Sequence, residues 1–292
     1  MTGRVSPALT RSGRSCRCAI LCASLGTPML PNLLRIGPLS IASHDFFVLF
    51  GVVVALSSFL VEARRRGVLD ERLGWIAIGS ILTGAVAAKL STLWAYLDAA
   101  PESTLLSALI LSGKSILGGL AGAYVGAIVT KRLVGYRDST GDLFAPAVAL
   151  GLAVGRIGCL LSEQLGTPTS LPWGIAVDAA TAARMPMCGS CGPGIPMHPS
   201  FLYEIIFHAL MFPVLRRLAA VVPVRGDVFK MYLLSYGVFR FAVEFVRGNP
   251  TVAFGLSYSQ LFLIPATLLL VVYFGRQVFT RAYAVPSFES AV

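Results

Sequence analysis

The sequence predicts an all-α, polytopic membrane protein with about seven transmembrane helices. Three observations carry that prediction. The mean hydropathy is +0.75. Charged residues make up 13% of the 292-residue chain, where a soluble domain carries about 25%. Several windows approach the roughly 20 apolar residues that a helix needs to cross a bilayer. The net charge of +10 then belongs to loops, because basic residues gather on the cytoplasmic side of membrane proteins. No basic-aromatic stretch resembles a nucleic-acid module, so no nucleic-acid partner is expected.

The spans read in order as about 44–62, 73–97, 105–130, 143–162, 199–216, 229–247 and 256–275. The first opens at His44 and is followed by Arg64, Arg65 and Arg66. The third is interrupted by Gly113-Lys114, so its first part reads as re-entrant or interfacial. Its later part carries Gly118, Gly122 and Gly126 at every fourth residue, a spacing that lets helices approach closely. That block, Gly119 included, packs helices or makes room for an acyl chain. The fourth starts beyond Asp142, a carboxylate that favours a helix N-terminus. The fifth follows Pro199 and holds Glu204 and His208 one turn apart; the seventh ends before Arg276.

Basic residues follow the first, third, fifth and seventh spans, among them Arg72, Lys131, Arg132, Arg137, Arg216, Arg217, Arg225, Lys230 and Arg281. The opposite loops carry Arg184 and Arg247. The positive-inside rule then places the N-terminus outside and the C-terminus in the cytoplasm. The 163–198 loop is extracytoplasmic on this reading. Its Cys188 and Cys191 form CGSC, where oxidising conditions permit a disulfide. No role, or redox or metal chemistry, are the alternatives for that pair. Residues 1–30 read as a doubtful extension: four arginines precede the short apolar stretch CAILCASLG. A signal peptide accounts for it, but translation from Met29 is simpler. Residues 31–281 then form a single transmembrane domain and 282–292 a short cytoplasmic tail.

Two arginines lie inside apolar runs, Arg156 in AVGRIGCLL and Arg240 in YGVFRFAVE. A guanidinium at the centre of a membrane helix costs about 2.5–3.5 kcal/mol on insertion scales. Each therefore needs a buried partner, a wet cavity or an anionic ligand. For Arg156 the bland reading is an ion pair with Glu163, one or two turns on. For Arg240 it is a pair with Glu244. Tyr236, Arg240, Glu244 and Arg247 are spaced four, four and three apart, which puts them on one helical face. The planar fork of arginine suits a phosphate better than lysine does. His44 and His198 sit at the outer water interface, where anchoring is the default role. Together these groups are suited to hold a phospholipid headgroup in the outer leaflet.

Five blocks in order carry a resemblance: IGPLSIASHDFF, GKSILGGLAG, FAPAVALGLAVGRIG with GTPTSLPWGI, HPSFLYE, and YGVFRFAVEFVRGNP with GLSYSQLFLIP. From about Ile36 to Tyr273 the chain resembles the prolipoprotein diacylglyceryl transferase family of bacterial inner membranes. The resemblance implies transfer of the diacylglyceryl group of phosphatidylglycerol to the cysteine thiol of a prolipoprotein, giving a thioether and glycerol 1-phosphate. It implies that Arg156 and Arg240 bind the phosphate, that Tyr236, Glu244 and Glu163 position them, and that no metal or organic cofactor takes part. The pattern departs at four places. Cys159 stands where the family usually has Asn. Glu163 falls seven residues after Arg156 rather than eight. Leu117 replaces a histidine before the paired glycines, and His44 replaces a tyrosine. Proton handling then falls to His44 or His198. The alternatives are a lipid-binding paralogue without this chemistry, and a transporter of an anionic substrate. Transporters often show inverted repeats, and the chain shows no confident repeat.

Overall fold

A computed structural model describes residues 29–280 and 283, except 37–38, 101, 112, 114 and 184–189. Most of the N-terminal extension and of the C-terminal tail, with Lys114, Arg184, Cys188 and Arg281, lies outside the described residues. So does the expected Cys188–Cys191 disulfide.

The chain enters through a hairpin that hydropathy did not signal. Strands β1 (Asn32–Ile36) and β2 (Leu39–Ala42) pair antiparallel. They lead directly into α1 (Ser43–Arg65), whose first residue is tied back to the entering chain. The Ser43 amide donates to the Pro31 carbonyl at 2.9 Å, and its hydroxyl to that of Leu30. Arg64 and Arg65 close α1, where cations favour the helix dipole. Asp70 then caps α2 (Glu71–Ala99) by accepting from the Arg72 amide.

The interruption expected at Gly113-Lys114 is present. The short α3 (Leu105–Leu111) stops, and α4 (Ile116–Leu133) begins behind Ser115, whose hydroxyl accepts from the Gly118 amide. Next come α5 (Gly141–Ser162), a single turn α6 (Ala179–Ala182), α7 (Ser200–Val221), α8 (Asp227–Glu244) and α9 (Tyr258–Phe279). A reciprocal Ser257–Gln260 capping box starts α9.

Helices α1, α2, α4, α5 and α9 are long and apolar enough to cross a membrane. Those five helices make the chain a multi-pass membrane protein. Helices α7 and α8 are long too, with 22 and 18 residues, but they carry Glu204, His208, Arg240 and Glu244, all buried. Their polar side chains face protein, which is how a membrane bundle accommodates ionisable groups. The outward positions are apolar and exposed, as at Leu49, Leu82, Leu210 and Leu269.

Helix α5 is the hub and packs against α1, α7 and α8. Close backbone approach makes this possible. A Cβ built on Gly51 of α1 would meet the Gly151 carbonyl of α5 at 2.5 Å. The Gly118, Gly122 and Gly126 stripe of α4 faces α2 in the same way, against Ser91, Ala87 and Thr83. The glycine block thus packs helices.

The basic helix ends gather at one end of the bundle. Arg216 lies 3.7 Å from Glu62, and Arg225 lies 3.9 Å from Asp138. Asp142, at the start of α5, accepts from the amides of Gly226 and Val228 at 2.8 and 3.2 Å. It therefore caps the neighbouring helix α8 as well as favouring its own. A cavity of about 320 Å³ near this end is lined by Phe59, Tyr124, Phe144 and Phe229, with Lys131 at its edge. It lies away from the arginines that dominate the opposite half.

Candidate active site

Arg156 and Arg240 stand at matching heights. At 1.5 Å per residue, each is roughly 20 Å from the basic end of its helix. Both are buried, at 4% and 5% exposure. What joins them is Glu204 of α7, which has no exposed surface. Its Oε2 pairs with Arg156 Nη2 and accepts from the Tyr236 hydroxyl at 3.1 Å. Its Oε1 accepts from Arg247 Nη1 at 2.8 Å and lies 3.8 Å from Arg240 Nε. Tyr236 also stands 3.5 Å from Arg156 Nη2.

Glu244 holds the other side of Arg240 by accepting from its Nη1. The remaining Glu244 oxygen accepts from Ser257 Oγ at 2.6 Å and Asn249 Nδ2 at 2.8 Å. The Phe201 ring lies under the guanidiniums of Arg156 and Arg247, at 5.5 and 4.4 Å, a cation–π arrangement. Three guanidiniums thus surround two buried carboxylates, and Arg247 Nη2 also lies 4.0 Å from the part-exposed Glu163 Oε2. Among the described residues, Arg156 Nε is buried with no hydrogen-bond partner. A buried donor of that kind calls for an acceptor.

The rim lies beyond this core. His44, at the start of α1, places Nδ1 3.0 Å from Glu163 Oε1 and 3.8 Å from Cys159 Sγ. Cys159 in turn lies 3.7 Å from Arg156 Nη1. Burial pushes the Glu163 carboxyl up, but hydrogen bonds with His44 and Cys159 and the charge of Arg247 outweigh it. The group therefore sits below the usual carboxylate range. His198 belongs to a separate chain of contacts. Its Nδ1 lies 3.1 Å from the Tyr203 hydroxyl, which accepts from the Trp173 indole N–H at 2.9 Å.

The loops that follow α5 and α8 are stitched over this end. The Gly166 amide donates to the His198 carbonyl at 2.7 Å, and the Thr167 amide to that of Val246 at 2.8 Å. A Cβ on Gly166 would meet the Val246 carbonyl oxygen at 2.1 Å, so only glycine fits between these strands of chain.

The structure brings Arg156, Arg240, Tyr236 and Glu244 into one cluster, with His44 and Glu163 at its edge. It corrects the pairing of Arg156, whose carboxylate is Glu204 rather than Glu163; Glu163 leaves the end of α5 towards His44. The Arg240–Glu244 pair forms within α8, as its four-residue spacing predicts. His198, Gly118 and Gly119 make none of their described contacts with the arginines. Glu204 and Arg247 were missed as site residues. Arg247 had a signal, its place on the face shared with Glu244. Glu204 had only its position in an apolar run.

Residues 31–276 match the family described as prolipoprotein diacylglyceryl transferase. The chain belongs to that family. It is similar to the phosphatidylglycerol–prolipoprotein diacylglyceryl transferase of Bordetella parapertussis, with 32% identity covering 82% of this chain and 91% of the relative. The Methylococcus capsulatus protein of the same name is 30% identical, covering 87% and 95%. That of Coxiella burnetii is 34% identical, covering 74% and 81%. The buried guanidinium cluster therefore sits in a member of a transferase family.

Proposed function

We propose that this chain transfers the diacylglyceryl group of phosphatidylglycerol to the acceptor cysteine of prolipoproteins, in the bacterial inner membrane. One observation carries the assignment of the site: the Arg156 Nε donor, buried and without a hydrogen-bond partner among the described residues, in a cluster where three guanidiniums converge. A phosphodiester carries one negative charge and supplies the missing acceptor. Arg156 and Arg240 hold it, with Tyr236, Glu204 and Glu244 fixing their forks.

The acceptor sulfur, once deprotonated, attacks the glycerol carbon next to the phosphate. The carbon–sulfur bond forms as the carbon–oxygen bond breaks, and glycerol 1-phosphate departs with the electron pair. Preorganised donors in a dry site stabilise that developing charge far better than water does. Proton handling falls to the outer histidines. His44 is favoured over His198 because it reaches the arginine cluster through Cys159. The five apolar helices and the gathered basic ends support an N-out, C-in placement, with the cluster nearer the outer leaflet.

The test is expression in a bacterium depleted of its own transferase, with lipoprotein modification followed by gel shift. The wild type is expected to restore modification. Arg156→Lys and Arg240→Lys keep the charge but lose the fork, and each is expected to abolish modification at normal protein levels. Normal turnover in both variants overturns the phosphate role.

A further inference from the structure

Three side chains with different ligand atoms meet where α1 crosses the end of α5. The crossing is close: a Cβ on Gly158 would lie 3.0 Å from the His44 Cα. That contact brings His44 over Cys159 and Glu163, one turn apart at the helix end. His44 Nδ1, Cys159 Sγ and a Glu163 carboxylate oxygen all lie within 4.8 Å of one another. The nitrogen–sulfur separation is 3.8 Å and the nitrogen–oxygen separation 3.0 Å.

These values can be compared with a metal geometry. Zinc binds sulfur at about 2.3 Å and imidazole nitrogen or carboxylate oxygen at about 2.0–2.2 Å, in a tetrahedron. Those bond lengths put nitrogen and sulfur about 3.6 Å apart, and nitrogen and oxygen about 3.4 Å apart. The two edges at the nitrogen therefore differ from a coordination sphere by a few tenths of an ångström, and the sulfur–oxygen edge, within 4.8 Å, has to close to about 3.6 Å.

The donor set selects the ion. One thiolate, one imidazole and one carboxylate suit a soft or borderline dication, whereas magnesium and calcium demand oxygen. Charge also fits, because thiolate and carboxylate together offset a dication. Arg156 Nη1 lies 3.7 Å from the sulfur, and its own charge is held by Glu204. The site is reachable from one side: the His44 and Glu163 side chains are 28% and 38% exposed, while Cys159 is buried.

We propose that His44, Cys159 and Glu163 bind one divalent cation of the Zn²⁺ class, leaving a fourth coordination position open. Three protein ligands with one open position is the arrangement of catalytic rather than structural zinc. A thiol entering the open position displaces water and loses its proton to solvent, since coordination deprotonates it outright. That consequence rests on the transferase reading. The metal-bound sulfur would be the attacking group, and the thioether product, neutral and a weak ligand, would leave the metal. His44 then serves as ligand in place of base.

The test uses the full-length protein in detergent, stripped with chelator and titrated with Co²⁺ as a coloured substitute for zinc. One equivalent is expected to bind with a sulfur-to-cobalt charge-transfer band. Cys159→Ser should lose the band, which rules out the chain's other cysteines as its source. His44→Ala and Glu163→Gln should each weaken binding at least about tenfold, since even outer-shell partners of a metal carry 10–100-fold. A measurement on the wild type avoids any folding defect: Zn²⁺ should slow alkylation of Cys159 by iodoacetamide, read by peptide mass. Absence of the band, its persistence in Cys159→Ser, or an unchanged alkylation rate overturns the site. A cysteine peptide should intensify the band of the cobalt-loaded protein, and no change removes the thiol role. None of these readouts depends on turnover, so failure of the transferase reading would leave them intact.

Discussion

Replacing Glu204 by Gln keeps its volume and removes its charge. Arg156 and Arg247 would then share a neutral amide in a buried setting, and Arg240 would rely on Glu244 alone. Removing one partner of a buried ion pair costs about 3–5 kcal/mol. Glu204→Gln is therefore expected to lower the yield of folded protein and its melting temperature in detergent. Glu204→Asp, which keeps the charge on a shorter arm, should recover part of the loss. A melting temperature of Glu204→Gln equal to wild type would show that the carboxylate is not the hub. At this scale the sequence was informative about most of the cluster but not its centre. Arg156 and Arg240 stood out because charge inside an apolar run has to be explained. Glu204 was equally buried and equally charged. Its meaning lay in partners on other helices, which spacing along one chain does not reveal.

Helix bounds and breaks were largely legible because they obey local rules. The interruption of the third span at Gly113-Lys114 and the small-residue stripe of α4 are examples. Contacts between elements were not. Asp142 reads as a residue that favours its own helix, yet its two oxygens accept from the amides of Gly226, which precedes α8, and Val228 in its first turn. Asp142→Ala should therefore loosen two helices at once. A loss nearer 2 than 1 kcal/mol is expected, the upper part of the range for a removed cap, measured by denaturant unfolding. Asp142→Asn keeps one acceptor and should lose less. The entry hairpin was also invisible, because its strands are short and follow no hydropathic period long enough to read.

Taken as a whole, the molecule has two unlike ends, and the proposed orientation follows from that difference. Reporter fusions after Arg225 are expected to be cytoplasmic and fusions near Gly192 extracytoplasmic; reversed signals would move the guanidinium cluster to the other leaflet. Seven hydrophobic stretches were readable from composition, and seven helices of 18 or more residues occupy the described chain. Five of them meet the apolar requirement for crossing. The other two gave up hydropathy to the cluster they carry, so composition is weakest where the site is densest. The sequence could order the helices but could not say that α5 sits between α1, α7 and α8. Such proximity is set by which glycine faces oppose one another in space.

The Tyr203 hydroxyl stands between the Trp173 indole and the His198 ring, and a hydroxyl has one proton to place. The indole can only donate, so this one oxygen receives it and leaves the hydroxyl proton for a partner on its other side, 3.1 Å away at His198 Nδ1. Loop and helix therefore share a single atom as their latch, and an exposed tryptophan, whose emission follows its surroundings, signals from within the chain whether that latch is shut.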